Sequence, residues 1–461
     1  MHLELAGTGS RRTVLTRALR EAVRGGRLPG GTRLPPYRSL AADLGIARNV
    51  VADAYAELVA EGWFTARQGS GTRVAERVAP PPAAAPVRRP GAAPTPAPRF
   101  DLVQGAPDPA SFPRTAWASA ARRALAAAPV DAFGPGDPRG RPELRLALAE
   151  YLARARGVRA DPERIVVCSG FANGLRLLAG LRPDGWAVEE YGLDFHRGIL
   201  DAAGVRPYPL SVDAEGARTA ELAGLPATVR TALLTPAHQF PTGGPLLPAR
   251  RSAAVAWARS RDAVLVEDDY DGEFRYDRKP VGAVQGLDPE RVVYAGSVSK
   301  SLSPAVRLGW LVLPDALVDG VLAAKGARES WASALDQLAL AEFLGCGAYD
   351  RHVRRMRQVY RERRDRLVAV LAERAPAVRV TGIAAGLHAV LELPPGTEAA
   401  AVRAAGAAGL GLDGLSGYRH PAASGAPREG LVVGYAAAPE RSFGRALEVL
   451  GGVVAELTAG S

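Results

Sequence analysis

The sequence predicts two unlike domains: a small, basic, helix-rich one ending in a hairpin, and a large α/β one on a mostly parallel sheet. Three observations carry this reading. Residues 79–99 hold eight prolines and seven alanines with no aromatic, the composition of an extended, semi-rigid linker of up to ~65 Å. Of the net charge of +10, residues 1–78 supply twelve arginines against seven acids, and residues 79–99 add three arginines and no acid. Beyond residue 100, short apolar runs (Ile165–Cys168, Thr231–Leu234, Ala263–Glu267, Val292–Ala295 and Leu308–Leu313) alternate with helical stretches, as in a mostly parallel sheet with crossover helices.

At 461 residues the chain is longer than one ordinary core organises, which agrees with two or three domains. Its 47% hydrophobic and 23% charged content is that of a globular protein. No run approaches the roughly 18 apolar residues of a membrane span, and Met1-His2-Leu3-Glu4 does not open a signal peptide. Cys168 and Cys346 stand alone, with no CxxC and no Cys/His cluster, so neither a disulfide framework nor a zinc site is expected, and a reducing cytoplasm is.

Within the small domain, Thr13 to Arg24 places Val14, Leu15, Ala18, Leu19 and Val23 on one helical face. Leu28-Pro29-Gly30-Gly31 is a turn. A short helix follows Pro36 with Leu40, Ala41 and Leu44 inward, and Gly45 ends it. A third helix, about 47–61, is expected to bury Val50, Ala54 and Leu58, with Val51 as a further candidate. Trp63–Ala66 and Gly71–Val74 flank Arg67-Gln68-Gly69-Ser70, a tight hairpin. Short helix, glycine turn, longer helix and glycine-tipped hairpin together make winged helix-turn-helix anatomy, in which the second helix enters the major groove of DNA. Arg48 and Asn49 open that helix and suit guanine and adenine edges. Arg38 suits a phosphate, and Gln68 and Gly69 form the tip of a wing that approaches the backbone. A helix-hairpin module used for protein contact, with a merely solvated basic face, is the alternative.

Gly30-Gly31-Thr32-Arg33-Leu34-Pro35-Pro36-Tyr37-Arg38-Ser39-Leu40-Ala41, followed by Ala47-Arg48-Asn49-Val50-Val51, Glu61-Gly62-Trp63 and Gly69-Ser70-Gly71-Thr72, resembles the GntR family of regulators over residues 11–75. The resemblance implies an operator in double-stranded DNA. Ala47 departs from it, because the family usually has Ser or Thr there as the N-cap of the recognition helix.

Only three of the 58 basic residues are lysines: Lys279, Lys300 and Lys325. A lysine kept in such a chain is a candidate for chemistry that a guanidinium cannot do, such as forming an imine with an aldehyde. Lys300 follows the strand-like Val292–Tyr294 in Ala295-Gly296-Ser297-Val298-Ser299-Lys300, and Arg307 comes seven residues later. Ser297 and Arg307 suit a phosphate. The strand Ala263–Val266 runs into Glu267-Asp268-Asp269-Tyr270. Pyridoxal phosphate (PLP) needs a carboxylate at its pyridine nitrogen, for which Asp268 is the choice, with Tyr270 donating to the phenolic oxygen. Gly170-Phe171-Ala172 joins a strand to a helix and offers backbone N–H groups to the phosphate. Taken singly, these pieces also read as a chance Ser-x-x-Lys, a solvated acidic loop and an ordinary turn; their order on strand ends of one domain makes the set specific.

The set resembles fold type I aminotransferases over about residues 100–455, with a small α+β subdomain at the C-terminus. The sequence His238-Gln239-Phe240-Pro241-Thr242-Gly243, then Glu267-Asp268-Asp269-Tyr270-Asp271-Gly272-Glu273-Phe274-Arg275-Tyr276 and Arg351-His352-Val353-Arg354-Arg355-Met356-Arg357, is similar to the MocR subfamily, in which a GntR head is fused to such a domain. The resemblance implies a PLP-responsive homodimeric regulator with weak or absent transamination, His238 in the cofactor site, and a small amine, an amino acid or PLP itself as effector. It further implies an arginine for an effector carboxylate near the strand Leu431–Gly434. Arg428 is the first candidate and Arg419 the second, and both also read as surface charge. Leu193 stands where the subfamily commonly has the tyrosine that stacks on PLP, with Tyr191 or Phe195 as replacements. Pro135 also stands where a tyrosine is usual, and Phe171-Ala172 replace more polar residues. Two other functions compete: a working aminotransferase with a vestigial head, and a DNA-binding protein whose large domain only dimerises.

Overall fold

The computed structural model describes residues 9–67, 70–76, 98–276, 281–326 and 332–459. Gln68, Gly69, Lys279 and the linker at 79–97 lie outside the described residues. The chain divides between Thr95 and Pro96 into two compact units.

The first unit contains α1 (Arg11–Arg24), α2 (Tyr37–Leu44), α3 (Arg48–Ala60) and the antiparallel pair β1 (Phe64–Arg67) and β2 (Gly71–Val74). Gly45 caps α2 in the left-handed region (φ 63°), which lets the chain reverse into α3 within three residues. The α1 face is buried as expected at Val14, Leu15, Ala18 and Leu19, with Val23 packed at the edge. On α3 the inward positions are Val51, Ala54, Tyr55 and Leu58, whereas Val50 is half-buried. Ala54, Leu58 and the candidate Val51 are thus inward as expected and only Val50 is not; Tyr55 joins them, packed edge-to-face between Tyr37 and Phe64. Arg20 forks onto Glu61 and ties α1 to the end of α3.

The second unit is built on a seven-stranded sheet. Its strands are β3 (Ile165–Cys168), β4 (Gly185–Glu189), β5 (Pro207–Leu210), β6 (Val229–Leu234), β7 (Val264–Asp269), β8 (Val292–Ser297) and β9 (Gly309–Val312), in the order β3-β9-β8-β7-β6-β4-β5. All pairings are parallel except those of β9, which runs antiparallel to both neighbours. Strands such as β3 and β7 are buried along their whole length, since helices cover both faces. One face is covered mainly by α6 (Phe171–Leu181), α7 (Asp194–Ala202) and α9 (Asp315–Lys325). The other face is covered by α8 (Pro248–Arg261) and by a core that joins α4 (Arg114–Ala127), α5 (Pro142–Arg156), α10 (Ala334–Gly345) and the 27-residue α11 (Ala348–Arg374). The small subdomain is a four-stranded antiparallel sheet formed by β10 (Arg379–Thr381), β11 (His388–Glu392), β12 (Asp413–Gly414) and β13 (Gly430–Gly434), in the order β10-β11-β13-β12. Helices α12 (Glu398–Ala407) and α13 (Glu440–Ala459) complete it. No described helix is long and apolar enough to cross a membrane.

A buried ion pair fixes the end of β7. Arg156, the last residue of α5, places Nε 2.6 Å from Asp269 Oδ2 and Nη2 3.2 Å from Oδ1, and the Tyr294 hydroxyl donates to the same carboxylate at 2.7 Å. Removing one partner leaves a buried charge without compensation. Arg156→Met is therefore expected to lower the unfolding free energy by about 3–5 kcal/mol; a denaturation midpoint equal to the parent's would remove this pair from the supports of the fold.

Candidate functional site at the carboxyl edge of the sheet

Parallel strands deliver the residues after their C-terminal ends to one edge, and a cavity lies there. It is lined by Gly170, Phe171 and Ala172 after β3, Glu189 at the end of β4, Thr235 after β6, Asp268 and Tyr270 at the end of β7, and Ser297, Ser299 and Lys300 at and after β8. Arg307 joins them from a different direction. It precedes β9, and an antiparallel strand begins at the edge where its neighbours end, with Gly309 paired to both Ser297 and Cys168. Of the nine residues expected around a cofactor, eight meet on this wall. The ninth, His238, is buried behind it: its Nδ1 lies 2.8 Å from Asp271 Oδ2 and 3.0 Å from the Tyr270 hydroxyl. His238 thus reaches the cavity only through Tyr270.

Which acid faces the cavity follows from strand alternation. Glu267 points to the far face and accepts the backbone N–H groups of Val284 and Gln285, both at 3.0 Å. Asp269 is held by Arg156 and Tyr294. Only Asp268, between them, lines the cavity. Burial, and then the neighbouring Asp269, push its carboxyl well above the usual range. Such a carboxylate calls for a cation on the cavity side. Burial also holds the Lys300 amine below its ordinary value, against the opposing pull of Asp271 and Asp268, which favours the nucleophilic, neutral form. Lys300 Nζ donates to the Gly105 carbonyl. The next residue is anchored to α11: the Tyr349 hydroxyl lies 2.8 Å from Ser301 Oγ, and His352 Nε2 donates to the Ser301 carbonyl at 2.7 Å.

The turn into α6 depends on Gly170, whose φ of 86° is in the left-handed region. The N–H groups of Asn173 and Gly174 return to the Gly170 carbonyl, which leaves those of Phe171 and Ala172 as the open donors of the helix start. Gly309 permits the close approach that brings Arg307 to this turn: a Cβ there would lie 2.7 Å from Gly170 Cα.

Several expectations are corrected. Arg428 and Arg419 do not line the cavity. Arg428 donates its backbone N–H to the Tyr191 hydroxyl at 2.9 Å, and Arg419 spends Nη2 on the carbonyls of Ala423, Ser424 and Gly425. Pro135 is exposed in its loop and is no part of the wall. Leu193 does line the cavity, and Tyr191 and Phe195 stand on either side of it. The nearest exchange of rings is with His196, which packs between Phe171 (4.9 Å) and Phe195 (4.2 Å); burial and then Lys300 push its pKa down to about 3. The expectations did not include Glu189, His196, Arg197 or Gln104 on the wall. Glu189 and Arg197 flank the Tyr191-Gly192-Leu193 stretch, and that proximity is the signal the sequence carries for them.

On the first unit, Arg38, Arg48 and Asn49 are exposed. Ala47 caps α3 with no side-chain hydrogen bond, as its identity implies.

The family model of class I and II aminotransferases matches residues 100–408, and that of the gntR family of bacterial regulatory proteins matches residues 12–74. The probable rhizopine catabolism regulatory protein MocR of Rhizobium meliloti is 34% identical, over 91% of this chain and 88% of its own. The chain belongs to the MocR subfamily of GntR regulators. Another relative of this MocR-type regulator is the pyridoxine biosynthesis transcriptional regulator PdxR of Corynebacterium glutamicum, 33% identical over 88% of each chain. Among solved structures, the α-aminoadipate aminotransferase LysN of Thermus thermophilus superposes with a TM-score of 0.69 at 25% identity, over 78% of this chain and 93% of its own. The MocR-type regulator is accordingly a DNA-binding transcription factor with an aminotransferase fold, and the cofactor of that fold is PLP. The cavity chemistry fits PLP: an amine for its aldehyde, a buried carboxylate awaiting a cation, and open N–H donors beside a guanidinium.

Glu189 gives the cavity a pH dependence. Burial raises its pKa from the ordinary 4.5 to about 7, against hydrogen bonds from Thr235 (2.5 Å) and Gln239 (3.2 Å). The folded state holds this proton more tightly than the unfolded chain does. Its stabilising contribution is therefore complete below about pH 4.5 and is lost as the pH rises through about 7. Glu189→Gln, assayed by calorimetry without added cofactor, is expected to gain on the parent in melting temperature between about pH 5 and about pH 8. A difference between the two that does not vary with pH would detach Glu189 from this titration.

Proposed function

We propose that Lys300 anchors PLP in this regulator and that the anchored cofactor reports a small amine, an amino acid or the level of PLP itself to the DNA-binding head. The observation that carries this reading is the convergence on one cavity wall of Lys300, the uncommitted carboxylate of Asp268 and the open start of α6 beside Arg307. Bound PLP supplies an aldehyde that joins a primary amine and a ring that withdraws electrons. Asp268 keeps the pyridine nitrogen protonated. Tyr270, steadied by His238 and Asp271, addresses the phenolic oxygen. The N–H groups of Phe171 and Ala172, with Gly170 setting the turn, hold the phosphate together with Ser297 and Arg307.

In the head, Arg48 and Asn49 read base edges and Arg38 holds a phosphate. The effector acts by favouring one arrangement of the dimer over another. Val130 (90% exposed) and Phe133 (60% exposed) follow α4 directly and support a homodimer that covers them. The protein works in the cytoplasm, where its operator is.

Two variants test the halves separately. Lys300→Ala is expected to abolish the visible absorbance that PLP acquires on the parent protein, with the fold intact by circular dichroism; unchanged absorbance would refute the anchor. Arg48→Ala is expected to weaken operator binding by ~1–3 kcal/mol while leaving that absorbance in place. Undiminished affinity for the cognate site would take Arg48 out of base reading.

A further inference from the structure

The cavity is poorly equipped to receive an acid. Among the described residues, the cations on its wall are Lys300, Arg307 and Arg197. Under the reading above, the first two belong to the cofactor. Arg197 is largely engaged elsewhere. It is only 9% exposed, its Nη1 donates to the carbonyls of Gly192 (3.0 Å) and Tyr418 (3.1 Å), and its Nη2 donates to Asp194 Oδ1 (3.1 Å). Its hydrogen bonds tie the start of α7 to the loop ahead of β13, and turning toward a ligand would give up its bonds to two backbone carbonyls. Arg428 and Arg419 lie off the wall, and the Arg419 guanidinium is held by the carbonyls described above.

The rest of the wall points the same way. Phe171, Leu193, Phe195, Leu233 and Phe240 make it apolar, and its acids are Asp268 and Glu189. Glu189 sits beside Tyr191-Gly192-Leu193, with Thr235 and Gln239 holding its carboxyl. A carboxylate or sulfonate entering here would be desolvated without a counter-ion, which is costly. An ammonium would meet Glu189 and gain a charge-assisted hydrogen bond.

We infer that the ligand sensed in this cavity is a primary amine with an apolar body and no acidic group. The inference rests on Lys300 being the cofactor anchor and selects one of the effector classes that the anchor alone leaves open.

The test uses full-length protein loaded with PLP, titrated with pairs that differ only by a carboxylate: 2-phenylethylamine against phenylalanine, 3-methylbutylamine against leucine, and butylamine against 4-aminobutyrate. Visible absorbance of the bound cofactor and the thermal-unfolding shift are read in parallel. Within each pair the amine is expected to half-saturate at a concentration at least about tenfold lower. Glu189→Gln is expected to narrow that gap, chiefly by weakening the amine. An acid-bearing member that binds as tightly as its amine, or tighter, overturns the inference, and so does a set in which no amine registers by either readout. The failures are distinguishable. If the parent never develops an absorbance that depends on Lys300, the anchor and this inference fall together. If it does and the pairs still do not separate, only this inference falls.

Discussion

Side chains on a strand point alternately to its two faces, and Glu267, Asp268 and Asp269 close β7 in that alternation, so only the middle carboxylate can face the cavity. The outer two are fixed from behind, Glu267 by two backbone N–H groups and Asp269 by Arg156 and Tyr294. A slip of one residue in register would turn two anions into the cavity and bury the third without its partners. The Arg156 pair is thus a register lock as much as an ion pair. The assignment of Lys300, Tyr270 and Arg307 to one site depends on the strand end that it holds.

The second constraint is the reversed strand. Five strand ends alone would deliver Lys300, Asp268, Glu189, Thr235 and the Gly170 turn to one edge, but no residue from beyond Lys300. Because β9 runs back between β8 and β3, the residue just before it returns to that edge, and Arg307 comes to the turn that starts α6. The small contour of Gly309 makes the distance short enough. The guanidinium and the lysine are therefore seven residues apart in the chain and on one wall in space, although a short helical turn and a loop separate them.

Much of this was legible before any coordinates. Helical periodicity located α1, α2 and α3, and apolar runs marked β3, β6, β7, β8 and β9, because burial imposes those patterns directly. On α3 the periodicity finds Ala54 and Leu58, and of the two adjacent valines the packing of Tyr55 selects Val51 over Val50. Motif residues that touch the cavity from strand ends were found, because strand ends are visible as the limits of apolar runs. His238 was placed one layer too far forward: the motif containing it says that it belongs to the site, not which side of Tyr270 it occupies. The resemblance puts an arginine for an effector acid near β13, but position in the chain cannot show that Arg428 engages Tyr191 through its backbone. Arg197 and His196 belong to no motif and reach the wall only through the orientation of α7.

Lysine scarcity has a consequence of its own. Among the described residues the lysines are Lys300, in the cavity, and Lys325, which is 3% exposed and donates to the Val167 carbonyl at 2.7 Å. The described exterior is cationic through arginine alone, and guanidinium groups do not condense with aldehydes under the mild conditions in which amines do. A reactive aldehyde dissolved around this protein therefore finds very few places to attach. The head can stay strongly basic for its nucleic-acid partner without becoming a sink for the compound that the other domain has to count.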